Sequence, residues 1–455
     1  MRELRAPSRF GLSRFGSIVV SRFVFACACW CAACSFGASR VRADETAAWI
    51  ESHLAEFEQL YRHLHSHPEL SFHEAETSKR IADELRAIGV ETTTGVGKFG
   101  VVGVLKNGPG PVLLLRSDLD ALPVTEATGL PFASKIKTTD DAGETTGVMH
   151  ACGHDVHMTN LIAAAKWSKD HMSAWSGTIL FIGQPAEEKI GGAKAMLDDG
   201  LYRRFPKPDF ALALHVAHDL ETGKIGYCSG PAMAGSTSVD VIVKGRGGHG
   251  AMPQNTVDPI VLAALLVLDL QTIVSREVNP IHPAVVTVGA IHGGTKHNII
   301  PNDVHLQLTL RAFRDDVRDL LIEGIKRRAQ ALARAHRAPD PEVTASDATP
   351  PTVNTPELVE RVLPAFIKEL GKENVIEVDP TMGAEDFGLF GRDGVPTFMF
   401  RLGTIPPAKI AAARDQGEPL PSLHSALYRP DFRPSVAVGV RACSAAIVEL
   451  LPPKK

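Results

Sequence analysis

The stretch Met149-His150-Ala151-Cys152-Gly153-His154-Asp155-Val156-His157-Met158 decides how the rest of the chain is interpreted. It holds three histidines, a cysteine and an aspartate between a polar segment (138–146) and an apolar run (161–165). Gly153 interrupts regular structure just before periodic apolar positions begin, so the pattern predicts a loop that leads into a helix at about 156–169. Thiolate and imidazole are ligands that suit zinc and similar metals. The alternative is a His-rich helix start in which Cys152 is a small buried hydrophobe.

The composition is that of a soluble globular protein long enough for two domains. The chain has 455 residues, of which 44% are hydrophobic and 22% are charged, as is typical of folded domains. Residues 1–43 contain seven Arg and one Glu, a net of +6, so the overall charge of −4 leaves −10 for the rest of the chain. An acidic body without a basic stripe argues against nucleic acid as a partner.

Residues 1–43 have the pattern of a signal peptide. Four arginines occupy the first 14 residues, an uncharged apolar run covers 23–39, and Val41-Arg42-Ala43 offers small residues where a signal peptidase reads the chain. We therefore predict an exported protein, periplasmic or extracellular, with cleavage near Ala43. Lipidation at Cys34 and a retained membrane anchor are the alternatives.

The cysteines favour a metal site over a disulfide framework. Four of the seven lie within residues 1–43, and the remaining three are widely spaced: Cys152, Cys228 and Cys443. An exported protein that keeps a lone Cys inside a His cluster is more easily explained by a metal than by redox chemistry.

Each of three predicted buried strands ends in, or is followed by, residue types that can bind metals. Apolar runs at 112–115, 178–182 and 209–216 predict the strands. The polar residues at their carboxyl ends are, in chain order, Asp118 and Asp120, Glu187 and Glu188, and His215. Open α/β sheets place their sites at this edge. With the predicted helices around them, these strands indicate an α/β domain with a mostly parallel central sheet flanked by helices.

A second domain is predicted as an insertion at 231–345. Alternating residues at 238–244 predict a strand with one exposed face, a glycine-rich turn follows with His249, and the next helix (257–275) is apolar on several sides. The β-α-β-β-α order predicts an α+β lid, and the apolar helix indicates a subunit contact, hence a homodimer.

The catalytic domain then comprises 44–230 and 346–455. Its last part is predicted as a helix at 356–370, a strand at 397–401, a proline-punctuated loop at 406–421 leading to His424, and a helix at 434–451.

The candidate metal ligands are Cys152, His154, Glu188, His215 and His424, with Glu187 beside them. Together with separated motifs in a matching order, they make the chain resemble the aminoacylase/carboxypeptidase-like metal-dependent amidohydrolases of the hippurate hydrolase and indoleacetyl-amino-acid hydrolase type. The motifs are Leu64-His65 with Pro68-Glu69-Leu70, Ser117 to Pro123, His150 to Asp155, Gln184 to Glu188, Gly247 to Pro253, Asn298 to Pro301 and Gly383 to Phe387.

The resemblance implies an α/β catalytic domain with an inserted dimerisation lid and a site for two divalent ions (Zn, Mn, Co or Ni). It implies that Cys152 bridges the ions, that His154 and Glu188 complete one, and that His215 and His424 complete the other. It further implies that Glu187 is the general base and that Asp120 orients a ligand.

The resemblance implies hydrolysis of N-acyl-amino acids to a carboxylic acid and an amino acid. From the chemistry of such a reaction we expect His249, with Asn298 nearby, to stabilise the oxyanion, and Arg311 to hold a substrate carboxylate. A dipeptidase or carboxypeptidase with the same site is the close alternative. A non-catalytic periplasmic ligand-binding relative is the more distant one, and the intact ligand set with Glu187 argues against it.

Overall fold

The structure is a computed structural model that describes residues 25–139 and 143–453, with side chains from residue 44 onward except at 347. By its contacts the chain divides into two units, Met1–Thr46 and Ala47–Lys455. The four leading arginines of the predicted signal peptide lie outside the described residues. From Phe25 the backbone is helical.

The secondary structure alternates between helices and strands through most of the chain. The helices are α1 (Phe25–Ser66), α2 (Ala75–Ala87), α3 (His154–Asp170), α4 (Gly192–Asp198), α5 (Leu201–Arg204), α6 (Pro259–Arg276), α7 (Asp315–Ala335), α8 (Pro356–Leu370), α9 (Pro407–Gln416) and α10 (Phe432–Leu450). The strands are β1 (Glu91–Val96), β2 (Gly100–Asn107), β3 (Val112–Asp118), β4 (Lys137–Thr139), β5 (Thr145–Gly147), β6 (Gly177–Gln184), β7 (Phe210–Glu221), β8 (Ile225–Tyr227), β9 (Gly230–Met233), β10 (Gly235–Lys244), β11 (Gly248–His249), β12 (Ala284–His292), β13 (Ile299–Ile300), β14 (Asp303–Ala312), β15 (Glu342–Thr349), β16 (Thr352–Asn354), β17 (Val375–Glu377) and β18 (Thr397–Ile405).

The central sheet has eight strands in the order β1-β2-β6-β3-β7-β18-β8-β17. The four middle strands β6, β3, β7 and β18 are parallel neighbours, and β8 pairs in parallel with β17. Antiparallel pairs join β1 to β2, β2 to β6 and β18 to β8. The predicted α/β fold with a mainly parallel sheet flanked by helices is therefore confirmed.

The two faces of the central sheet pack against different layers. Alternate strand residues such as Leu212 and Phe400 face the core formed with α1, α3, α8 and α10, while Ala213 and Met399 face the layer that contains α4. A fully buried Leu or Phe contributes about 1.5–3 kcal/mol, so this core can support buried charges at one edge of the sheet. By the same alternation, residues 116, 215 and 401 lie on the face toward α4.

A second, four-stranded antiparallel sheet has the order β12-β14-β10-β15. Helices α6 and α7 pack on it through a separate apolar cluster that includes Leu266, Leu308 and Leu321. This sheet matches the α+β pattern predicted for 231–345. Its fourth strand runs to Thr349, four residues past that predicted boundary, because β15 continues to pair with β10.

Among the described helices, α6 is long and apolar enough by length and composition to cross a membrane. One side of it packs on the second sheet through Leu262, Leu266, Leu270 and Ile273. The apolar composition of α6 is thus partly explained by ordinary core packing.

The segment 406–421 was predicted to be a loop, and this was wrong, because α9 occupies Pro407–Gln416. The helix has a proline at its first position and ends at Gly417 in the left-handed conformation. These are standard helix start and stop signals, and they outweigh the loop signal of the surrounding prolines.

Candidate active site

The predicted ligands converge at the carboxyl edge of the parallel strands. The pairing of β3 with β7 ends at Arg116 and Ala213, so His215 lies beyond the paired part of these two strands. The prediction that His215 ends its own strand was wrong, because β7 continues to Glu221 alongside β18. What leaves His215 open on this side is the end of the pairing between β3 and β7 rather than the end of β7.

The ligand atoms of five side chains lie close enough to one another to bind metal ions together. Cys152 Sγ lies 3.6 Å from His215 Nε2, His424 Nε2 lies 3.6 Å from Glu188 Oε2, and His154 Nε2 lies 3.8 Å from Glu188 Oε1. Metal–ligand bonds of about 2.0–2.3 Å place two ligands of one ion roughly 3–4 Å apart. Cys152 belongs both to a group with His154 and His215 and to a group with Glu188 and His424, as a shared ligand would.

Two of these atoms are buried without a hydrogen-bond partner, His154 Nε2 and Glu188 Oε1. A buried polar atom that has lost water and gained no partner is costly. The other ring nitrogen of His154, Nδ1, donates to the carbonyl oxygen of Asp120 at 2.8 Å, and this contact fixes the ring with Nε2 3.6 Å from Asp118 Oδ2 and 3.8 Å from Glu188 Oε1. These residues therefore fit a divalent cation.

His157 is excluded as a ligand by its own contacts. Its Nδ1 donates to Asp118 Oδ1 at 2.7 Å, and its Nε2 accepts the backbone N–H of Val216 at 2.9 Å. Both ring nitrogens are occupied, so His157 positions its neighbours and does not bind metal. Val216 follows His215, so this contact fixes the strand segment that presents a ligand.

A tight turn separates Cys152 from α3. Gly153 has φ +75°, and a Cβ there would lie 2.7 Å from Val216 Cγ2, so a side chain at this position would be both strained and crowded. His154 is the first residue of α3. The predicted loop that leads into a helix is confirmed. This turn allows the thiol of Cys152 and the imidazole of His154 to face one site.

Two buried carboxylates hold the turn that carries Glu187 and Glu188. Glu74 Oε1 accepts the backbone N–H of Ala186 at 2.7 Å, and Asp120 Oδ2 accepts that of Glu188 at 3.0 Å. Ala186 has φ +48°, a conformation that non-glycine residues adopt only when their surroundings impose it. The turn is therefore held from both sides with its two glutamates in place.

Glu187 lies in a strongly acidic environment. Burial, followed by the charges of Glu385, Glu188 and Asp386, raises the pKa of Glu187 well above its usual range. No described residue donates a hydrogen bond to its carboxylate, and its nearest charged contact is His154 Nε2 at 3.9 Å. A carboxylate with a raised pKa and no partner is a strong base that remains available to a substrate.

Arg116 is the buried cation of this region, and it was not predicted. Its guanidinium pairs with Asp118 at 2.7 Å, with Glu385 at 2.7 Å and with Asp386 at 3.2 Å. The signal was present in the sequence as a charge within an apolar strand. Its acidic partners could not be identified in advance, because two of them lie about 270 residues further along the chain. Arg116 is shared by three carboxylates, so it cannot also balance the nearby Asp120, Glu187 and Glu188, and a divalent cation would neutralise part of this charge.

Comparison with known proteins agrees with this geometry. Residues 114–418 match the model of Peptidase family M20/M25/M40. The chain belongs to this family. It is 39% identical over 342 residues to the hippurate hydrolase of Campylobacter jejuni subsp. jejuni, an alignment that covers 74% of this chain and 85% of that protein. It is 37% identical over 350 residues to thermostable carboxypeptidase 1 of Saccharolobus solfataricus, which covers 76% and 85%.

The crystal structure of the YXEP protein of Bacillus subtilis, a dinuclear metal-binding peptidase from the M20 family, matches with a TM-score of 0.71 and 30% identity. The match covers 88% of this chain and 99% of that one. The M20 family chain described here thus has the fold of these peptidases and is a hydrolase of amide bonds. The resemblance deduced from its motifs is confirmed.

The remaining predicted site residues of this M20 family chain lie in and around the second sheet. His249 is exposed on β11, which pairs with β13 directly after Asn298, and Gly250 N–H donates to the carbonyl of Asn298 at 2.9 Å. Arg311 is partly buried on β14. Among the described residues no hydrogen bond or ion pair joins any of the three to the Cys152 cluster, so their roles stay predictions.

A buried His65 ties the helix that carries His154 to α1 in this M20 family chain. Its Nδ1 donates to Asp155 at 2.7 Å and its Nε2 to Glu126 at 3.1 Å. Burial alone would lower the pKa of His65, but these two carboxylates raise it to about 9. His65 is thus an imidazolium clamped between two acids at the start of α3.

We expect His65→Gln to change how stability depends on pH. The folded pKa of about 9 exceeds the ordinary value of 6.5, so this stabilisation is fully present below pH 6.5 and is lost as the pH rises through 9. The shift corresponds to about 3 kcal/mol. Urea unfolding of metal-free protein at pH 6 and pH 9.5 should show the parent losing more stability than His65→Gln. The exposed His67→Gln is the matched control, and an equal loss in parent and His65→Gln would contradict the clamp.

Proposed function

We propose that this chain hydrolyses N-acyl-amino acids, of the hippurate kind, with two divalent metal ions held by Cys152, His154, Glu188, His215 and His424. The observation that carries the proposal is the set of five converging ligand atoms, with the buried Glu187 beside them at 3.9 Å from His154 Nε2. The dinuclear relative in Bacillus subtilis and the hippurate hydrolase in Campylobacter jejuni support it. The ions, when bound, would polarise the scissile carbonyl and make a water molecule more acidic.

The protein's own residues would move the protons. Glu187 takes a proton from the attacking water as the water oxygen bonds to the acyl carbon. The C–N bond then breaks, and the carboxyl of Glu187 passes the proton to the amine nitrogen, which yields a carboxylic acid and an amino acid. The raised pKa of Glu187 suits both steps, because a group that accepts a proton readily at neutral pH can also return it.

The second sheet would supply substrate contacts. His249 Nδ1 accepts the backbone N–H of Ala251 at 3.0 Å, so the ring proton lies on Nε2 and can be donated to a developing oxyanion, with Asn298 beside it. Arg311 has no ion-pair partner among the described residues and would hold a substrate carboxylate.

We also propose a homodimer through an inserted lid at about 231–345. Beyond its buried side, α6 exposes Ile260, Val261, Leu265 and Leu268 with accessibilities of 38–70%. The neighbouring β12 is an edge strand of the second sheet and exposes Ile291. An apolar helix face beside an unpaired strand edge suits a second copy of the same surface.

Export and signal-peptide cleavage near Ala43 remain proposals that rest on the basic and apolar pattern of residues 1–43. The N-terminal sequence of the protein recovered from its native cell envelope would test them, with Asp44 expected at the start of the mature chain.

A metal-loaded hydrolysis panel tests the main proposal. N-acetyl- and N-benzoyl-amino acids should be cleaved with a higher kcat/KM than matched dipeptides that carry a free amino group. The reverse order would favour the second candidate, a carboxypeptidase, which the relative in Saccharolobus solfataricus supports. No turnover of either class would contradict both.

His249→Ala should lower kcat by about 10²–10³, the effect of one lost oxyanion donor, while metal content stays unchanged. The exposed His336→Ala at the end of α7 serves as the control and should behave as the parent. Mixing His249→Ala with Glu187→Gln subunits then tests whether His249 serves the partner's site. Recovered activity would show that it does, whereas no recovery with subunit exchange verified would place it in its own subunit.

A further inference from the structure

Arg401 on β18 is the direct neighbour of a proposed metal ligand. The parallel register pairs Arg401 with His215 on β7, and paired residues on adjacent strands lie about 5 Å apart with their side chains on the same face. Arg401 therefore projects from the sheet face that carries His215. The flanking residues Phe400 and Leu402 point to the opposite face and fill the main core.

The guanidinium of Arg401 has no acidic partner. Its Nε is buried without a hydrogen bond, and no described residue forms an ion pair with it. Burial lowers the pKa of Arg401, and the charges of Asp219, Cys152 and Cys228 offset this only partly. Asp219 is exposed and forms no ion pair with it within the described residues.

Arg116 on the same sheet face shows what a buried arginine ordinarily requires. It is surrounded by Asp118, Glu385 and Asp386 at ion-pair distance. A guanidinium that is largely removed from water without such partners is unfavourable by itself. Ion pairs account for Arg116, whereas the buried Nε of Arg401 has no such partner among the described residues.

On its other side Arg401 packs against a position that has no room for a side chain. Its antiparallel neighbour on β8 is Gly226, where an added Cβ would lie 2.9 Å from Val378 Cγ1 and 3.3 Å from Arg401 Cβ. Arg401 is also partly exposed, so its guanidinium can be reached from solvent. Arg401 thus lies between a proposed ligand histidine and a glycine.

We propose that Arg401 forms a carboxylate-binding subsite within the active site. A planar guanidinium binds a carboxylate through two parallel hydrogen bonds, and the position beside His215 places that carboxylate next to the reacting amide. The carboxylate is either the α-carboxylate of the amino-acid part, in place of Arg311, or one at the far end of a dicarboxylic acyl group. The inference rests on the proposed N-acyl-amino acid hydrolysis and names the substrate group that this residue recognises.

Matched substrates with and without each carboxylate test the subsite and its source. Hippurate is compared with its carboxamide, and N-succinylglycine amide with N-butyrylglycine amide. Arg401→Met should lower kcat/KM about 10²–10³-fold for the member of one pair that carries the carboxylate, and less than threefold for its neutral partner. The pair that responds identifies the source. Arg401→Lys keeps the charge but not the paired donors, so its kcat/KM for the carboxylate-bearing substrate should lie between those of the parent and Arg401→Met. The kcat/KM of the exposed Arg62→Met should equal that of the parent.

Equilibrium binding provides a readout that is independent of turnover. In the metal-loaded Glu187→Gln background, calorimetry should show hippurate or succinate binding at least tenfold more weakly once Arg401→Met is added, with metal content unchanged. The binding measurement tests the subsite even if the parent hydrolyses no N-acyl-amino acid. Such a lack of hydrolysis would contradict the proposed function but not the subsite. Equal losses on charged and neutral substrates, or binding that is absent or insensitive to Arg401→Met, would overturn the subsite.

Discussion

Glu187→Gln should lower the rate of amide hydrolysis by about 10²–10⁴ while leaving both metal ions in place, because the side-chain amide cannot accept the proton of the attacking water. Glu187 lies among buried carboxylates that raise its pKa, and its carboxylate receives no hydrogen bond from a described residue. The substitution removes a charge from an overly acidic site, so folding should be unaffected. Metal analysis and kcat on the best N-acyl-amino acid are the measurements.

Glu188→Gln is the matched control for this prediction. The two residues are adjacent and share a turn, but the oxygens of Glu188 lie 3.8 Å from His154 Nε2 and 3.6 Å from His424 Nε2. Glu188→Gln should therefore lose metal together with activity. Activity of Glu187→Gln within tenfold of the parent, or loss of metal from it, would mean that the roles of the two glutamates are assigned wrongly.

Cys152→Ala should reduce metal content more than any other cysteine substitution and abolish most of the activity. Burial, followed by the charges of Glu188 and Glu187, raises the pKa of the Cys152 thiol well above its usual range, so a nearby cation is required to make it a thiolate at neutral pH. Chelation of the parent should make Cys152 accessible to a thiol reagent at alkaline pH, whereas the metal-loaded protein should protect it.

Cys443→Ala and Cys228→Ala are the controls for the Cys152 prediction. Cys443 is buried in α10, and burial raises its pKa to about 12, while Cys228 is partly exposed. Both variants should retain the metal content of the parent. Equal labelling of Cys152 with and without chelator would show that it is not a ligand.

The buried strands and the polar side chains at or near their carboxyl ends were predictable because their signals are local, although the end of β7 was misplaced. A short apolar run followed by acids or a histidine predicts a buried strand with polar groups at its carboxyl edge, and Glu187, Glu188 and His215 were found in this way. The edge strands β1 and β15 were not predicted. Edge strands keep one or both faces exposed, so their sequences lack an apolar run: β1 reads Glu-Thr-Thr-Thr-Gly-Val.

The choice among neighbouring histidines could not be made from spacing. His154 and His157 lie three residues apart near the start of one helix, and either could serve as a ligand by type. The structure separates them, because Asp118 and the Val216 N–H occupy both nitrogens of His157 and leave His154 Nε2 free. Such assignments depend on tertiary contacts that periodicity does not encode.

Backbone strain at the site was equally invisible in the sequence. Ala186 and His424 both adopt positive φ, +48° and +67°, at positions where no glycine marks a turn. The contact of Glu74 with the Ala186 N–H that supports the first of these comes from a residue more than a hundred positions earlier. Local sequence signals identify turns through glycine and proline, so strain carried by other residues is missed.

Stoichiometric reconstitution tests directly whether a dinuclear metal site performs the hydrolysis. Metal-free protein, prepared by chelation and checked for folding, is titrated with Mn²⁺ or Zn²⁺ while hydrolysis of an N-acyl-amino acid is followed. We predict no activity without metal and a rise that reaches its plateau at two equivalents per chain. Full activity in the metal-free protein, or no hydrolysis after two ions have bound, would contradict hydrolysis by a dinuclear metal site.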